Sequence, residues 1–234
     1  MEPFAGLVVG ASDVAATVVF FETFGFVETT PGVLRVPGGT PVDIVIEATD
    51  APLRAPRNYE LGPRALDLYT TDIERGVAVA ADAGYAPSPI GTINMGPVTM
   101  RQALVTGPDG MPVVLVESTH PRSSILDLEP DRLFSEPHSV VWAVADIDAE
   151  AAWWVEQGAT KGMDLKFSEP AVSEYLGLPD SPVEIRMTML SDPDVSPLRL
   201  ELLEFVGRGT ASDPSPIRAL TRSDGARVSV GGVR

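Results

Sequence analysis

Apolar and polar positions along the 234-residue chain repeat one pattern three times. An apolar strand ends near an aspartate, a stretch with helical spacing of apolar residues follows, and a glycine closes it twelve residues after the aspartate. The side chain of Asp accepts hydrogen bonds from the free N–H groups of a helix's first turn, and Gly adopts the left-handed conformation at its end. The pattern therefore predicts three helices with the same start and stop signals, at Asp13 to Gly25, Asp72 to Gly84 and Asp146 to Gly158.

Strands rich in Val, Ile and Leu are predicted after each helix, so the repeating unit is a βαβββ module. Its period is 59 residues from Asp13 to Asp72 and 74 from Asp72 to Asp146, which is too long and uneven for a solenoid and favours modules that pair face to face. The predicted fold class is α+β, in which two modules form a curled-sheet half-barrel pair and the third module has a truncated partner. Asp213 and Gly225 repeat the helix spacing, but no apolar strand leads into Asp213.

The patterns divide the chain into four parts. Residues 1–118 are predicted to form a two-module cup domain, 119–137 a linker, 138–206 a third βαβββ module, and 207–234 a tail or hairpin. In the tail, 217–221 and 227–230 flank the turn residues Ser223-Asp224-Gly225. The sequence leaves open whether this hairpin covers an exposed sheet edge or the tail is disordered.

Composition narrows the classes of function. The chain has no cysteine, which excludes disulfides, thiolate metal sites and a cysteine nucleophile. Its formal net charge of −16 would repel phosphate backbones and anionic lipids, so neither nucleic acid nor a membrane is an expected partner. No stretch reaches the roughly 18 apolar residues of a membrane helix. These features predict a cytoplasmic protein.

The capped helices occur together with the turn Gly107-Pro108-Asp109-Gly110 before a closing strand. This combination resembles the glyoxalase, bleomycin-resistance and extradiol dioxygenase superfamily, also called the vicinal oxygen chelate proteins. The resemblance is good over residues 4–118 and moderate over 138–206. It implies that two modules curl into a cup around a small organic ligand.

The resemblance also implies a divalent metal, held by His or Gln on the first strand of each module and by Glu on the last. The first-strand positions, seven residues before each capping aspartate, are Gly6, Ala65 and Ser139, and the closing-strand positions are Glu47, Val114 and Glu201. One carboxylate in the first pair of modules is too few for a catalytic metal, which needs about three protein ligands. The sequence therefore predicts no metal and no cofactor.

The two histidines do not restore the metal site. His138 stands one residue before a ligand position, so strand alternation should turn it to the opposite face of the sheet, and only a β-bulge would bring it inward. His120 follows a strand end. A surface or structural role is the simpler interpretation of each.

A cup without a metal can still do acid and base chemistry. Strand alternation places Ala65, Asp67 and Tyr69 on one face, with Glu47 directed the same way from its own strand. Desolvated acids have a raised pKa and can act as general bases, so the predicted catalytic residues are Glu47, Asp67 and Tyr69. The alternative is that these acids lie at a rim or are neutralised by Arg64 or Arg101. The predicted ligand-binding residues are Ala65, Gly6, Val8, Met100, Val114 and Arg101.

Three classes of function remain open from the sequence. The favoured class is a metal-independent isomerase, lyase or cyclase, and the alternatives are a ligand-sequestering resistance-type protein and a metal-dependent lyase or dioxygenase whose ligands are shifted in register. An unpaired third module would expose a sheet face. A homodimer through residues 138–206 is therefore predicted, with Trp154 as a candidate contact.

Overall fold

The computed structural model describes residues 4–95, 97–168, 170–180, 182–191, 198–211 and 215–228. It contains three βαβββ modules and a C-terminal hairpin, so the predicted α+β fold class is confirmed. Asp213 and residues 229 and 230 of the predicted hairpin lie outside the described residues. No helix among the described residues is long and apolar enough to span a membrane.

The three predicted helices begin and end at the predicted signals. In each helix the capping aspartate accepts a hydrogen bond from a backbone N–H three residues later, with N···O distances of 2.9 to 3.0 Å. The closing glycines Gly25, Gly84 and Gly158 have φ angles of 81°, 91° and 95°, the left-handed conformation that only glycine adopts without strain. Local capping chemistry therefore sets the ends of each helix.

Module 1 forms a sheet with the C-terminal hairpin. The elements of this sheet and its helix are β1 (Phe4–Ala11), α1 (Val14–Glu22), β2 (Val27–Thr30), β3 (Val33–Arg35), β4 (Asp43–Ala48), β14 (Ile217–Arg222) and β15 (Arg227–Val228). The strand order is β15-β14-β1-β4-β3-β2. Because β14 pairs antiparallel with β1, the hairpin covers an edge that would otherwise be open.

Modules 2 and 3 share the second sheet. Module 2 contains β5 (Gly62–Thr70), α2 (Ile73–Asp82), β6 (Ala86–Pro87), β7 (Gly91–Met95), β8 (Val98–Thr106) and β9 (Pro112–Ser118). Module 3 contains β10 (Phe134–Ala143), α3 (Ile147–Glu156), β11 (Thr160–Phe167), α4 (Pro170–Tyr175), β12 (Ile185–Ser191) and β13 (Arg199–Phe205). The order is β11-β12-β13-β10-β5-β9-β8-β6, with β7 paired to β8.

The predicted pairing of the first two modules within residues 1–118 is wrong. The first strand of module 2, β5, pairs antiparallel with β10, the first strand of module 3. The strand that begins module 1 pairs instead with the C-terminal hairpin. All three first strands are apolar, so the local pattern does not determine which two will meet. The curled pair therefore spans residues 62–205, and the truncated partner belongs to module 1.

One hydrophobic core lies between the helices and the convex faces of both sheets. It includes Trp154, which is 0% exposed and contacts Phe4 of β1 edge to face. Trp153 is the exposed member of the pair, at 42%. Trp154 therefore takes no part in a dimer surface.

The Pro-Asp-Gly turn of module 2 connects it to module 1. Asp109 accepts hydrogen bonds from the backbone N–H and the hydroxyl of Ser12, at 2.7 and 2.6 Å. A Cβ on Gly107 would lie 2.6 Å from the ring of Phe20 on α1. The turn that carries the family resemblance thus has a structural role at the contact between the two sheets.

Candidate functional site

A cavity of about 270 Å³ lies on the concave face of the nine-stranded sheet, between modules 2 and 3. Its lining is apolar over most of module 3, where β11 and β12 contribute Leu165, Phe167, Ile185, Met187 and Met189. Polar side chains gather at the centre and toward module 2. These are Asp67, Tyr69, Gln102, His138, Arg199 and Glu201, and we call them the polar cluster.

Strand register explains why the polar cluster forms. Ser139 of β10 lies opposite Asp67 of β5 on one side and opposite Arg199 of β13 on the other. Residues two apart on a strand share a face, so Tyr69 accompanies Asp67 and Glu201 accompanies Arg199. The polar cluster thus comes from three adjacent strands at the junction of the two modules.

His138 faces the cavity because β10 is irregular at this point. The register shifts between Pro137 and Ser139, which is the β-bulge that would be needed to bring His138 inward. The imidazole is 6% exposed and stacks on the ring of Tyr69, with centroids 3.8 Å apart and an interplanar angle of 10°. The simpler interpretation of His138 as an outward-facing residue is therefore wrong.

Ser139 links the acid of β5 to the imidazole. Its hydroxyl lies 3.0 Å from Oδ2 of Asp67 and 3.0 Å from Nδ1 of His138. A guanidinium nitrogen of Arg199, Nη2, lies 3.3 Å from the same Nδ1. The other buried polar atoms of these two side chains, Oδ1 of Asp67 and Nε2 of His138, have no hydrogen-bond partner among the described residues.

Burial decides the charge states in the polar cluster. Burial and the nearby charge of Glu201 raise the pKa of Asp67 well above its usual range, against the opposing effects of Ser139 and Arg199. Burial raises the pKa of Glu201 to about 7, against the attraction of Arg199. Burial and the positive charges of Arg199 and Arg122 hold the pKa of His138 well below its usual value. The cavity therefore favours the neutral forms of the imidazole and of both acids, compared with the same groups in water.

These charge states fix the direction of the hydrogen bonds. Arginine only donates, so Nδ1 of His138 accepts from Arg199, and its proton is on Nε2. Ser139 can then donate to Nδ1 and accept from the protonated Asp67. When Asp67 is ionised, the Ser139 hydroxyl donates to the carboxylate instead. The Ser139 hydroxyl therefore changes its hydrogen-bond acceptor when Asp67 gains or loses a proton, and this changes the hydrogen bonding of His138.

The structure brings together only some of the residues predicted from sequence. Asp67, Tyr69 and Met100 line the cavity. Ala65 and Val114 are buried in the apolar cluster on the same face. The remaining predicted site residues, Glu47, Gly6, Val8 and Arg101, lie elsewhere.

Glu47, Gly6 and Val8 belong to the six-stranded sheet of module 1. Glu47 is half-exposed and forms an ion pair with Arg227 of the C-terminal hairpin, with an N···O distance of 2.5 Å. The hydrogen bond from Arg227 lowers the pKa of Glu47, the opposite of the shift expected for a buried base. Glu47 is neutralised by Arg227, and neither Arg64 nor Arg101 has this role.

Arg101 lies on β8 with its guanidinium bonded to Glu74 of α2 and Glu117 of β9. Its neighbours Met100 and Gln102 line the cavity, whereas Arg101 does not. The strand alternation that directs Met100 inward directs Arg101 outward. The prediction that both bind the ligand is therefore wrong for Arg101.

The family's metal does not fit this cup. Of its four positions in modules 2 and 3, Ala65, Val114 and Ser139 have no metal-ligating side chain, and only Glu201 does. Among the described residues, no three His, Asp or Glu side chains are arranged to hold a metal ion. The guanidinium of Arg199 lies beside His138 and brings a fixed positive charge to the same neighbourhood.

Sequence reasoning missed Arg199, Arg122 and the inward orientation of His138. Arg199 stands two residues before Glu201, so strand alternation applied to the identified position would have placed it in the cup. Arg122 lies in the segment interpreted as a linker, where no periodic pattern indicates its direction. It lines the exposed rim of the cavity.

Comparison with solved structures places the chain among known folds. It is similar to glyoxalase I from Zea mays, with a TM-score of 0.66 and 14% identity over 94% of this chain and 74% of that chain. A mutant of 4-hydroxymandelate synthase from Streptomyces coelicolor gives a TM-score of 0.47 and 13% identity, over 91% and 72% of the two chains. Methylmalonyl-CoA epimerase from Mycobacterium tuberculosis gives 0.43 and 18%, over 61% and 87%.

The similarity to glyoxalase I establishes the fold alone, and the two lower TM-scores carry no argument. The chain shares the fold of glyoxalase I, which is the fold that the capped helices and the Pro-Asp-Gly turn predicted. No protein-family model matches it, and no curated protein matches it in sequence.

Proposed function

We propose that the protein is a metal-independent enzyme of the isomerase or lyase type that moves a proton on a small organic substrate in the cup. The observation that carries this proposal is the placement of two acids with raised pKa, the buried Asp67 and the partly buried Glu201, in one cavity with Arg199. Perturbed acids in a cleft are a feature of catalytic sites. The predicted catalytic role of Glu47 passes to Glu201, while Asp67 and Tyr69 keep theirs.

The two acids have complementary roles. Glu201, with a pKa of about 7, is substantially ionised at neutral pH and serves as the base that takes a proton from a carbon next to a carbonyl group. The C–H electron pair moves onto the carbonyl oxygen. The protonated Asp67 then returns a proton to carbon, leaving Glu201 protonated and Asp67 ionised. Transfer of one proton back between the acids through water restores the starting state.

Arg199 supplies the positive charge that a metal supplies elsewhere in this fold. A fixed guanidinium in a site with little water stabilises the negative charge that develops on the substrate oxygen. Tyr69 and the Nε2–H of His138 are further donors in the polar cluster. The proposal thus needs no cofactor.

Hydrogen exchange tests the proposal without knowledge of the natural substrate. Small ketones and keto acids, such as phenylacetone and benzoylacetate, are incubated with the protein in D₂O, and loss of the α-proton signal is followed by NMR. We expect Glu201→Gln and Asp67→Asn each to reduce the protein-dependent rate by about 10²-fold or more. Binding, measured by thermal shift, should remain.

Glu204→Gln is the matched control. Glu204 lies on the same strand as Glu201 but on the opposite face, where it accepts hydrogen bonds from Arg186 at 3.1 Å and from the N–H of Ile147 at 3.4 Å. Its removal should leave exchange unchanged. Exchange that is equally fast in Glu201→Gln would exclude Glu201 as the base.

Ligand sequestration is the second candidate function, and helix α4 favours it. Val172 and Leu176, on and just after this helix, line the cavity, and α4 packs against β7 of the other module. Module 3 therefore contributes an apolar cover to the cup. Binding of ketones without any protein-dependent exchange, across the whole set, would favour this function over catalysis.

Assembly and location remain predictions. The predicted homodimer rested on an unpaired module 3, whereas β10 of module 3 pairs with β5 in the same chain. The cup is therefore complete in one chain, and the proposed chemistry does not require a dimer. The predicted cytoplasmic location has no bearing on the chemistry of the cup.

A further inference from the structure

We propose that the substrate is a small apolar organic acid whose carboxylate binds Arg199 and Arg122. This inference rests on the proposed function, because it takes the cup to be the substrate site and names the class of compound it accepts. It follows from the placement of cations, from the shape of the apolar wall and from the size of the cavity.

Arg199 differs from the ion-paired arginines of this acidic protein. Arginines such as Arg35, Arg101, Arg186 and Arg227 form ion pairs with carboxylates. The one hydrogen bond of the Arg199 side chain within the described part of the chain goes to a neutral imidazole at 3.3 Å, and its Nε is buried without a partner. No described carboxylate lies within ion-pair distance of it. A cation placed in this way is prepared for an anion from outside.

Arg122 brings a second positive charge to the same side of the cavity. It lies at the exposed rim, and both it and Arg199 line the cavity. Loss of water around the guanidinium and the positive charge of Arg199 lower the pKa of Arg122. A carboxylate between the two guanidinium groups would be attracted by both, and Arg binds carboxylates in a two-point geometry.

The adjoining wall of the cavity, on the strands next to β13, accommodates an apolar body. Leu165 and Phe167 of β11 face the cavity beside Ile185, Met187 and Met189 of β12. The thioether side chains of the two methionines are flexible and fill irregular spaces around a ligand. A ligand that satisfies both walls has a charged end and an apolar end.

The volume of about 270 Å³ limits the ligand's size. Pockets for drug-sized ligands run from about 300 to 1,000 Å³, so this cavity suits a smaller molecule. Arg199 and Glu201 are two residues apart on β13, roughly 7 Å along the strand. A carboxylate on Arg199 would therefore place the carbons next to it beside the proposed base.

The inference is tested by comparing acids with their neutral amides. The probes are phenylacetate, hexanoate and cyclohexanecarboxylate, each paired with the corresponding amide, and binding is measured by calorimetry at low salt. We expect at least one acid to bind about tenfold or more tightly than its amide, which corresponds to about 1.4 kcal/mol. No preference for the acid in any pair would overturn the inference.

Arginine variants locate the binding. Arg199→Gln should weaken binding of the preferred acid about tenfold or more, and Arg122→Gln by a smaller factor because the side chain is more exposed to water and salt. The control is Arg186→Gln on β12, whose guanidinium contacts Asp148 and Glu204 away from the cup. Arg199→Lys, which keeps the charge, should retain a preference for the acid. Equal loss in Arg186→Gln, or no loss in Arg199→Gln, would contradict the assignment.

The two proposals fail in different ways. If neutral ketones undergo exchange that depends on Glu201 while the acids bind no better than their amides, the organic acid is excluded and the enzyme remains. If the acids bind through Arg199 but no compound undergoes exchange, the substrate class remains and the catalytic proposal fails.

Discussion

Three titratable side chains, the buried Asp67 and His138 and the partly buried Glu201, make the cup sensitive to pH. The pKa of Glu201 is about 7 in the folded protein and 4.5 in the absence of the folded environment. Between these two pH values the folded state keeps a proton on Glu201 that the unfolded chain releases. His138 shows the reverse, since its lowered pKa keeps it neutral where the unfolded chain would protonate it. Glu201 thus destabilises the fold as pH rises from about 4.5 through 7, and His138 destabilises it as pH falls through about 6.5.

Glu201→Gln should therefore stabilise the protein at alkaline pH. Above pH 7 the wild type carries the full cost of a buried carboxylate, whereas near pH 5 most of that cost is absent in both proteins. The free energy of unfolding of the variant, relative to wild type, should rise by up to about 3 kcal/mol between pH 5 and pH 8, at about 1.36 kcal/mol per pH unit of the pKa shift. Urea unfolding at the two pH values measures this. A difference that does not change with pH would show that Glu201 titrates normally.

Ser139→Ala should destabilise the protein at all pH values. The hydroxyl lies 3.0 Å from both Asp67 and His138, and its loss leaves Oδ2 of the buried Asp67 without a partner and Nδ1 of His138 with Arg199 alone. The cost of such unpaired groups is about 1 to 3 kcal/mol. Urea unfolding of Ser139→Ala is compared with Ser118→Ala, whose side chain is half-exposed. Equal stability of the two variants would mean that the link between Asp67 and His138 is not formed.

Strand alternation made part of the site predictable residue by residue. It placed Asp67 and Tyr69 on the cavity face, and the same rule applied to Glu201 would have added Arg199. It failed at His138, because a bulge changes the direction of side chains and leaves no signal in the pattern of apolar residues. For Glu47, strand alternation predicts the face of its own strand, but it does not predict which of the two sheets that strand joins.

At the level of elements, each module helix depends on one carboxylate at its start. Asp72 accepts a hydrogen bond from the N–H of Arg75 at 3.0 Å, and Asp82 ends the same helix as an exposed residue. Asp72→Ala should cost about 1 kcal/mol of unfolding free energy. Asp82→Ala should be neutral or slightly stabilising, since an acid near a helix C-terminus is unfavourable. Thermal unfolding of the two variants gives the comparison, and an equal loss in both would argue against the cap.

The elements were predictable because their signals are local, and their pairing was not. Capping residues and runs of Val, Ile and Leu lie within a few residues of the helix or strand they define. Pairing of β5 with β10 joins segments about 70 residues apart, and β1 meets β14 more than 200 residues away. Any of the three apolar first strands satisfies the same local pattern. Which two of these strands pair is determined by the packing of the whole chain.

At the level of the whole molecule, the charged side chains of the cavity differ from what the net charge of the chain would suggest. The chain has 33 acidic and 17 basic side chains, yet Arg122 and Arg199 line its cavity, beside two acids with raised pKa, Asp67 and Glu201. The acidic exterior repels anions at long range, while the cup offers them a cationic site at short range. Added salt screens both effects, the first more strongly because it acts through water. The arrangement of charged side chains in the cup is therefore a better guide to its ligand than the net charge of the chain.

The two sheets should unfold together because they share one core. Leu220 of β14 is fully buried in the cluster that also contains Trp142 of β10 and Trp154 of α3. All three tryptophans belong to module 3, so their fluorescence reports on the nine-stranded sheet, whereas circular dichroism reports on both. Leu220→Ala should cost about 2 to 5 kcal/mol. Both signals should move to the same lower urea midpoint.

Arg218→Ala is the control for this change, since Arg218 is an exposed neighbour on the same strand. Its midpoint should stay close to that of the wild type. The contact between Phe4 of β1 and Trp154, with ring centroids 5.5 Å apart, is one physical link through which a loss in the first sheet reaches module 3. If Leu220→Ala lowers the midpoint seen by circular dichroism and leaves the fluorescence midpoint in place, the sheets are separate folding units. The cup would then be independent of module 1 and its hairpin.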